Sequence, residues 1–69
     1  MEIQVNGNKT IFESDALSLL EVLDNLGIRE GQHGVAVAVN YSVIPKSKWA
    51  TILLNESDAI EVIRASAGG

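Results

Sequence analysis

The run Val35-Ala36-Val37-Ala38-Val39 is apolar on both of its alternating faces, and this limits what the chain can become more than any other feature. Strand side chains point alternately to opposite faces, so a run of this kind belongs in the interior of a sheet, between other strands. The valines would pack on whatever covers that sheet. Ala36 and Ala38 would lie on the opposite face, where small side chains leave a shallow surface that another backbone can approach. The chain has 69 residues, enough for one domain. At this size roughly 60% of the unfolded surface is buried on folding, so the cover must come from a nearby element.

A helix supplies it. From Ala16 the apolar residues recur with a period of 3.6, placing Ala16, Leu19, Leu20, Leu23 and Leu26 on one stripe and Ser18, Glu21 and Asn25 on the opposite face. Leu17 and Val22 flank the stripe. Ser14-Asp15 precedes it, and Asp15 is the expected N-cap because its oxygen can accept an orphan N–H and its charge suits the helix dipole. Gly27 closes the helix as the left-handed residue beyond its end.

The flanking strands are read from alternation and turn chemistry. Ile3 and Val5 alternate with Glu2 and Gln4, the pattern resumes through Lys9 to Glu13, and Asn6-Gly7 between them is a type I′ hairpin signal. Beyond the valine strand, Asn40-Tyr41-Ser42 reads as a turn and Val43-Ile44 as a short strand stopped by Pro45. Residues 46–50 read as one helical turn folding Trp49 over the edge of the core. Ile52-Leu53-Leu54 is a further short apolar run, and Asn55-Glu56-Ser57-Asp58 is a polar turn. The last strand is Ala59-Ile60-Glu61-Val62-Ile63-Arg64. A hairpin, a helix, a central strand and a final strand laid parallel to the first give an α+β fold, a mixed β-sheet packed on one main α-helix. That arrangement is the β-grasp, or ubiquitin-like, fold.

Composition removes several classes of function. Five Lys and Arg against nine Asp and Glu leave a net charge of −4, contrary to the basic footprint that nucleic acid demands. No apolar run approaches the roughly 20 residues of a membrane span, and Met1-Glu2-Ile3-Gln4-Val5 lacks the basic start of a signal peptide. The expectation is a cytoplasmic protein. There is no cysteine, which excludes disulfides, thiolate metal sites and persulfides on a side chain. His33 lies between glycines with no nucleophile near it in sequence and reads as a loop residue. The carboxylates are scattered singly, without metal-ligand spacing or an acid–base pair. Without a nucleophile–base pair or a phosphate-cradling loop, an independent enzyme is not expected.

What remains is the end of the sequence. The final strand runs almost into Ala65-Ser66-Ala67-Gly68-Gly69, so the expected organisation is a domain over 1–64 and a flexible Gly-Gly tail over 65–69. Glycine permits close approach by another backbone, and a terminal glycine carboxylate is unhindered and ionised at neutral pH. These small residues suit threading into a narrow channel, although a frayed end or a cloning scar would look the same by composition.

Taken together, Met1-Glu2-Ile3-Gln4-Val5-Asn6-Gly7, Leu19-Leu20-Glu21-Val22-Leu23, Val37-Ala38-Val39-Asn40, Val43-Ile44-Pro45-Lys46 with Trp49, Asp58 and Ala67-Gly68-Gly69 make the chain resemble the ThiS family, the sulfur carriers of thiamine thiazole biosynthesis. The resemblance runs over essentially the whole length. It departs from the family at Ala65 and Ser66, where larger apolar residues are often found. It implies that an E1-like adenylyltransferase (ThiF-like) adenylates the carboxylate of Gly69, with ATP and magnesium used by that partner and no cofactor bound by the carrier itself. A sulfur donor such as a cysteine desulfurase then supports conversion to a thiocarboxylate, which a thiazole synthase (ThiG-like) uses. Gly68 and Ala67 would thread the tail. The rival readings are a small subunit of molybdopterin synthase, a ubiquitin-like modifier, and a plain interaction domain with an incidental tail.

Strand alternation also gives a candidate partner surface. If Ile60 and Val62 face the core, Ile63 faces outward with Glu61 and joins Ala36 and Ala38 in a small apolar patch near the tail. The competing reading has Ile63 covered by Trp49 or by the Ile52-Leu53-Leu54 segment.

Overall fold

The computed structural model describes residues 1–29 and 31–65. Among these, the chain forms β1 (Glu2–Val5), β2 (Asn8–Ile11), α1 (Leu19–Asn25), β3 (Val35–Val39), β4 (Ser42–Val43), a 3-10 turn (Lys46–Lys48) and β5 (Ala59–Arg64). The strands make one mixed sheet in the order β2-β1-β5-β3-β4. β1 and β5 run parallel at its centre, with Gln4 beside Ala59 and Val5 beside Ile60. β3 lies antiparallel to β5 over the whole of its length, from Val35 beside Arg64 to Val39 beside Ile60. The strand that is apolar on both faces is therefore interior, between β5 and β4, as its composition requires.

Both hairpin turns hold their two central residues at positive φ, which Asn6, Gly7 and Asn40 adopt readily and the bulky Tyr41 does not. Asn6 at 49° and Gly7 at 84° join β1 to β2, while Asn40 at 48° and Tyr41 at 70° join β3 to β4. With both central residues left-handed, each matches the twist of its strands. β2 ends at Ile11, but Phe12 and Met1 still exchange hydrogen bonds, with Phe12 N–H donating at 2.8 Å and the Met1 ammonium at 2.7 Å.

The helix begins later than its periodicity implies, and its N-cap is Ser18, not Asp15. Ser18 Oγ accepts from Glu21 N–H at 3.1 Å, and Ser18 N–H donates to Glu21 Oε1 at 3.1 Å. This is a reciprocal capping box, for which Ser18 followed by Glu21 three residues on was the available signal. The first-turn donors Leu19 and Leu20 are satisfied by the carbonyls of Ile52 (2.8 Å) and Trp49 (3.0 Å). Leu17 and Ser18 are thereby drawn into strand-like contact with Leu53–Leu54, leaving Ala16 exposed outside the helix. Leu19, Val22 and Leu23 are the buried helix residues, a spacing of i, i+3, i+4 that puts Val22, not Leu20, at the centre of the stripe. Leu17 is core as well. At the other end Gly27, φ 80°, lets Gly27 N–H reach Asp24 O and Ile28 N–H reach Leu23 O, a complete Schellman closure.

Trp49 does not fold over an edge. It is 1% exposed, the largest fully buried side chain, and its indole N–H donates to Ile44 O at 3.0 Å. The 3-10 turn that follows Pro45 aims it inward between α1 and the sheet, with Ile3, Val37, Leu54 and Ile60 in the same core cluster.

Candidate functional site

The site is built at the end of β5 on the sheet face away from α1. Because β5 has Ile60 in the core, alternation turns Glu61 and Ile63 to the other side. Register then places Ala36 beside Ile63 and Ala38 beside Glu61. Ile63 is 59% exposed, so it is covered neither by Trp49 nor by the Ile52-Leu53-Leu54 segment. Trp49 is sealed on the helix side, and Leu53 is itself exposed to solvent. Ala36 is open to solvent and Ala38 is 8% exposed, its small side chain walled in by its neighbours.

Two features of this face were missed from sequence. Val43 pairs with Ala38 and is 72% exposed, so it extends the apolar patch across β4; strand alternation through the short β4 was the signal. Gly34 takes part at the root of the tail. Ala65 N–H donates to Gly34 O at 2.6 Å, continuing the β3–β5 ladder one step past Arg64. Gly34 has φ 75°, and a Cβ there would stand 3.3 Å from Ala65 Cβ. A larger residue at 34 would thus be strained by its backbone and crowded against the first tail residue.

On the other side of β5, Val5, Asn6, Leu26, Ile28, Val62 and Arg64 line an open cleft of about 400 Å³. It exists because β1 turns away at Asn6 while β5 runs on for four residues more. His33 is exposed in a turn, in keeping with a loop role. Among the described residues no group of three or more His, Asp or Glu side chains is placed to hold a metal ion. No helix among them is long and apolar enough to cross a membrane. The predicted tail residues Ala67, Gly68 and Gly69 lie outside the described residues.

Known proteins agree with this geometry. The chain spans all of a crystal structure of the thiamine biosynthesis protein ThiS from Geobacter metallireducens, with a TM-score of 0.82, 25% identity and 100% of both chains covered. It is 35% identical over 51 residues to the sulfur carrier protein ThiS of Escherichia coli (strain K12), covering 74% of this chain and 70% of that protein. It is also 30% identical, over all 69 residues, to part of a thiazole synthase of Paramagnetospirillum magneticum, of whose length it spans only 20%. The ThiS family model matches residues 1–69, and with sequence and fold both matched end to end, the chain belongs to the ThiS family.

Proposed function

We propose that this chain is the sulfur carrier of thiamine biosynthesis and that the carboxylate of Gly69 is its reacting group. The observation that carries this reading is the full-length ThiS match, on a fold in which a central strand leads directly into a tail of small residues. The carboxylate oxygen attacks the α-phosphate of ATP bound by an E1-like, ThiF-like enzyme, and pyrophosphate leaves with its magnesium. The acyl adenylate is electrophilic at the glycine carbonyl carbon. Sulfide displaces AMP to leave a thiocarboxylate directly. A persulfide, with sulfur drawn from a donor such as a cysteine desulfurase, instead displaces AMP to give an acyl disulfide, which a second thiol of the partner then cleaves to the thiocarboxylate and a disulfide. That soft nucleophile is passed to a thiazole synthase, a partnership supported by the ThiS-like segment within a protein of that name.

The patch of Ile63, Ala36 and Ala38, extended by Val43, is the docking face for the partner enzymes. Its position on the strand that feeds the tail would fix the direction in which the tail enters. Five extended residues reach only about 16 to 18 Å, so the docking face and the reacting carbon must engage one partner together.

The test is ATP–pyrophosphate exchange with a ThiF-like enzyme, followed by intact mass. The chain ending at Gly69 should exchange one oxygen for sulfur once a sulfur donor is supplied. A version extended by one residue, or lacking Gly69, should not, because displacement of reacting atoms by even about 1 Å costs orders of magnitude in rate. Protein-sized adducts would instead indicate a modifier, and recovery of a molybdopterin synthase large subunit the other carrier class. Sulfur uptake by the extended chain without trimming back to Gly69 would overturn the mechanism.

A further inference from the structure

The central strand β5 is held unequally by its two neighbours. On the β3 side the backbone ladder continues from Ile60 to Arg64 and is carried to Ala65 by the carbonyl of Gly34. On the β1 side backbone pairing stops early, because Asn6 and Gly7 are already the hairpin turn. Asn6 N–H makes the last backbone bond there, to Ile60 O at 2.9 Å. The next groups of β5 that point toward β1 are the N–H and C=O of Val62, and no backbone of β1 lies opposite them.

The Asn6 side chain takes that place. Its Oδ1 accepts from Val62 N–H at 2.8 Å, and its Nδ2 donates to Val62 O at 3.4 Å. A side-chain amide offers one acceptor and one donor in a plane, as a backbone residue does, so Asn6 extends the ladder by one further step without further chain. The other type I′ turn repeats the device at the opposite end of β5. Asn40 Oδ1 accepts from Ala59 N–H at 3.0 Å, and its Nδ2 donates to Asp58 Oδ1 at 3.0 Å. Two turn asparagines thus grip the same strand, one where it enters the sheet and one just before the tail.

We propose that Asn6 is a positioning residue for the tail: by pairing both backbone groups of Val62 it keeps the last half of β5 in the sheet plane and aims the following residues at the activating enzyme. This rests on the sulfur-carrier reading for its functional consequence. Asn40 grips the strand far from the tail and has no such effect.

Asn6→Gly tests it cleanly, since glycine is at home at positive φ and the turn itself is not strained by the change. Amide hydrogen exchange followed by NMR should quicken about tenfold at Val62, while Ile60 and Ile63 stay within about twofold of the parent. In ATP–pyrophosphate exchange with a ThiF-like enzyme, kcat should fall about tenfold with KM nearly unchanged, because the docking face is untouched and the tail is misdirected. Asn6→Asp keeps the acceptor for Val62 N–H and loses the donor, so it should recover part of both losses. Asn40→Gly should leave kcat at the parent value. Unchanged protection at Val62 in Asn6→Gly would overturn the proposal, as would an unchanged kcat once protection is lost, or an equal loss of kcat in Asn40→Gly. A parent chain that is not activated at all would sink the sulfur-carrier reading instead, and the grip on Val62 would then be judged by exchange alone.

Discussion

The two faces of the sheet are made from the same strands by strict alternation, yet they are built to opposite ends. Toward α1 lie Ile3, Val37 and Ile60, each at most 1% exposed, sealed by Leu19, Leu23 and Trp49. Away from it lie Ala36, Val43 and Ile63, with Glu61 among them, open to solvent. In a two-layer domain a single helix can cover only one face of a sheet, and here that face holds the whole core cluster. The open face is consequently free to be read by another protein. Substitutions should separate the two: those on the covered face should unfold the protein, and those on the open face should alter recognition alone.

The strongest way to break that contrast is Trp49→Ala. Truncating a buried tryptophan costs about 3 to 5 kcal/mol. Stabilities of roughly 0.05 to 0.15 kcal/mol per residue give about 3 to 10 kcal/mol for 69 residues, so this variant should lose from about a third to all of its folding free energy, read as the largest fall in melting temperature by circular dichroism. Leu23→Ala should follow at about 2 to 5 kcal/mol, read as a lower urea midpoint with a nearly constant slope. Ser18→Ala removes the capping oxygen and should cost about 0.5 to 2 kcal/mol, whereas Asp15→Ala should cost almost nothing; the reverse order would restore the earlier helix start. The smallest stability effect belongs to Ile63→Glu, within about 0.5 kcal/mol of the parent, together with weaker binding to a ThiF-like enzyme in titration calorimetry. A large fall in its melting temperature would show that the open face is structural after all.

Much of the architecture was legible because its signals are local. Asn6-Gly7 could be read as a hairpin from φ preference alone, the valine strand as interior from its two apolar faces, and Gly27 as a helix stop. Ile63 could be turned outward by counting from Ile60. The misplaced helix start has a tertiary cause: Leu17 and Ser18 are taken up by pairing with Leu53–Leu54, and the carbonyls of Trp49 and Ile52 finish the first turn. Those partners lie 29 to 37 residues away in sequence, beyond any window of periodicity, and the one local sign of the true start was the capping box of Ser18 and Glu21. Trp49 was misjudged for the same reason, since only the assembled core has a cavity of its size and a carbonyl in reach of its N–H.

The sequence alone determined the strand and helix pattern, because backbone propensities and alternation are properties of short segments; the parallel pairing of first and last strands followed from the order of those elements, and the family from the resemblance of the whole chain. Tertiary structure decided which carbonyls cap the helix, that Trp49 fills the core, that Val43 joins the patch of Ile63, Ala36 and Ala38, and that Asn6 does more than turn the chain. A side-chain amide at a hairpin turn carries no mark in sequence of what it will bond. Only when β1 ends beside a longer β5 are the N–H and C=O of Val62 left facing it, two polar groups that the folded chain must satisfy.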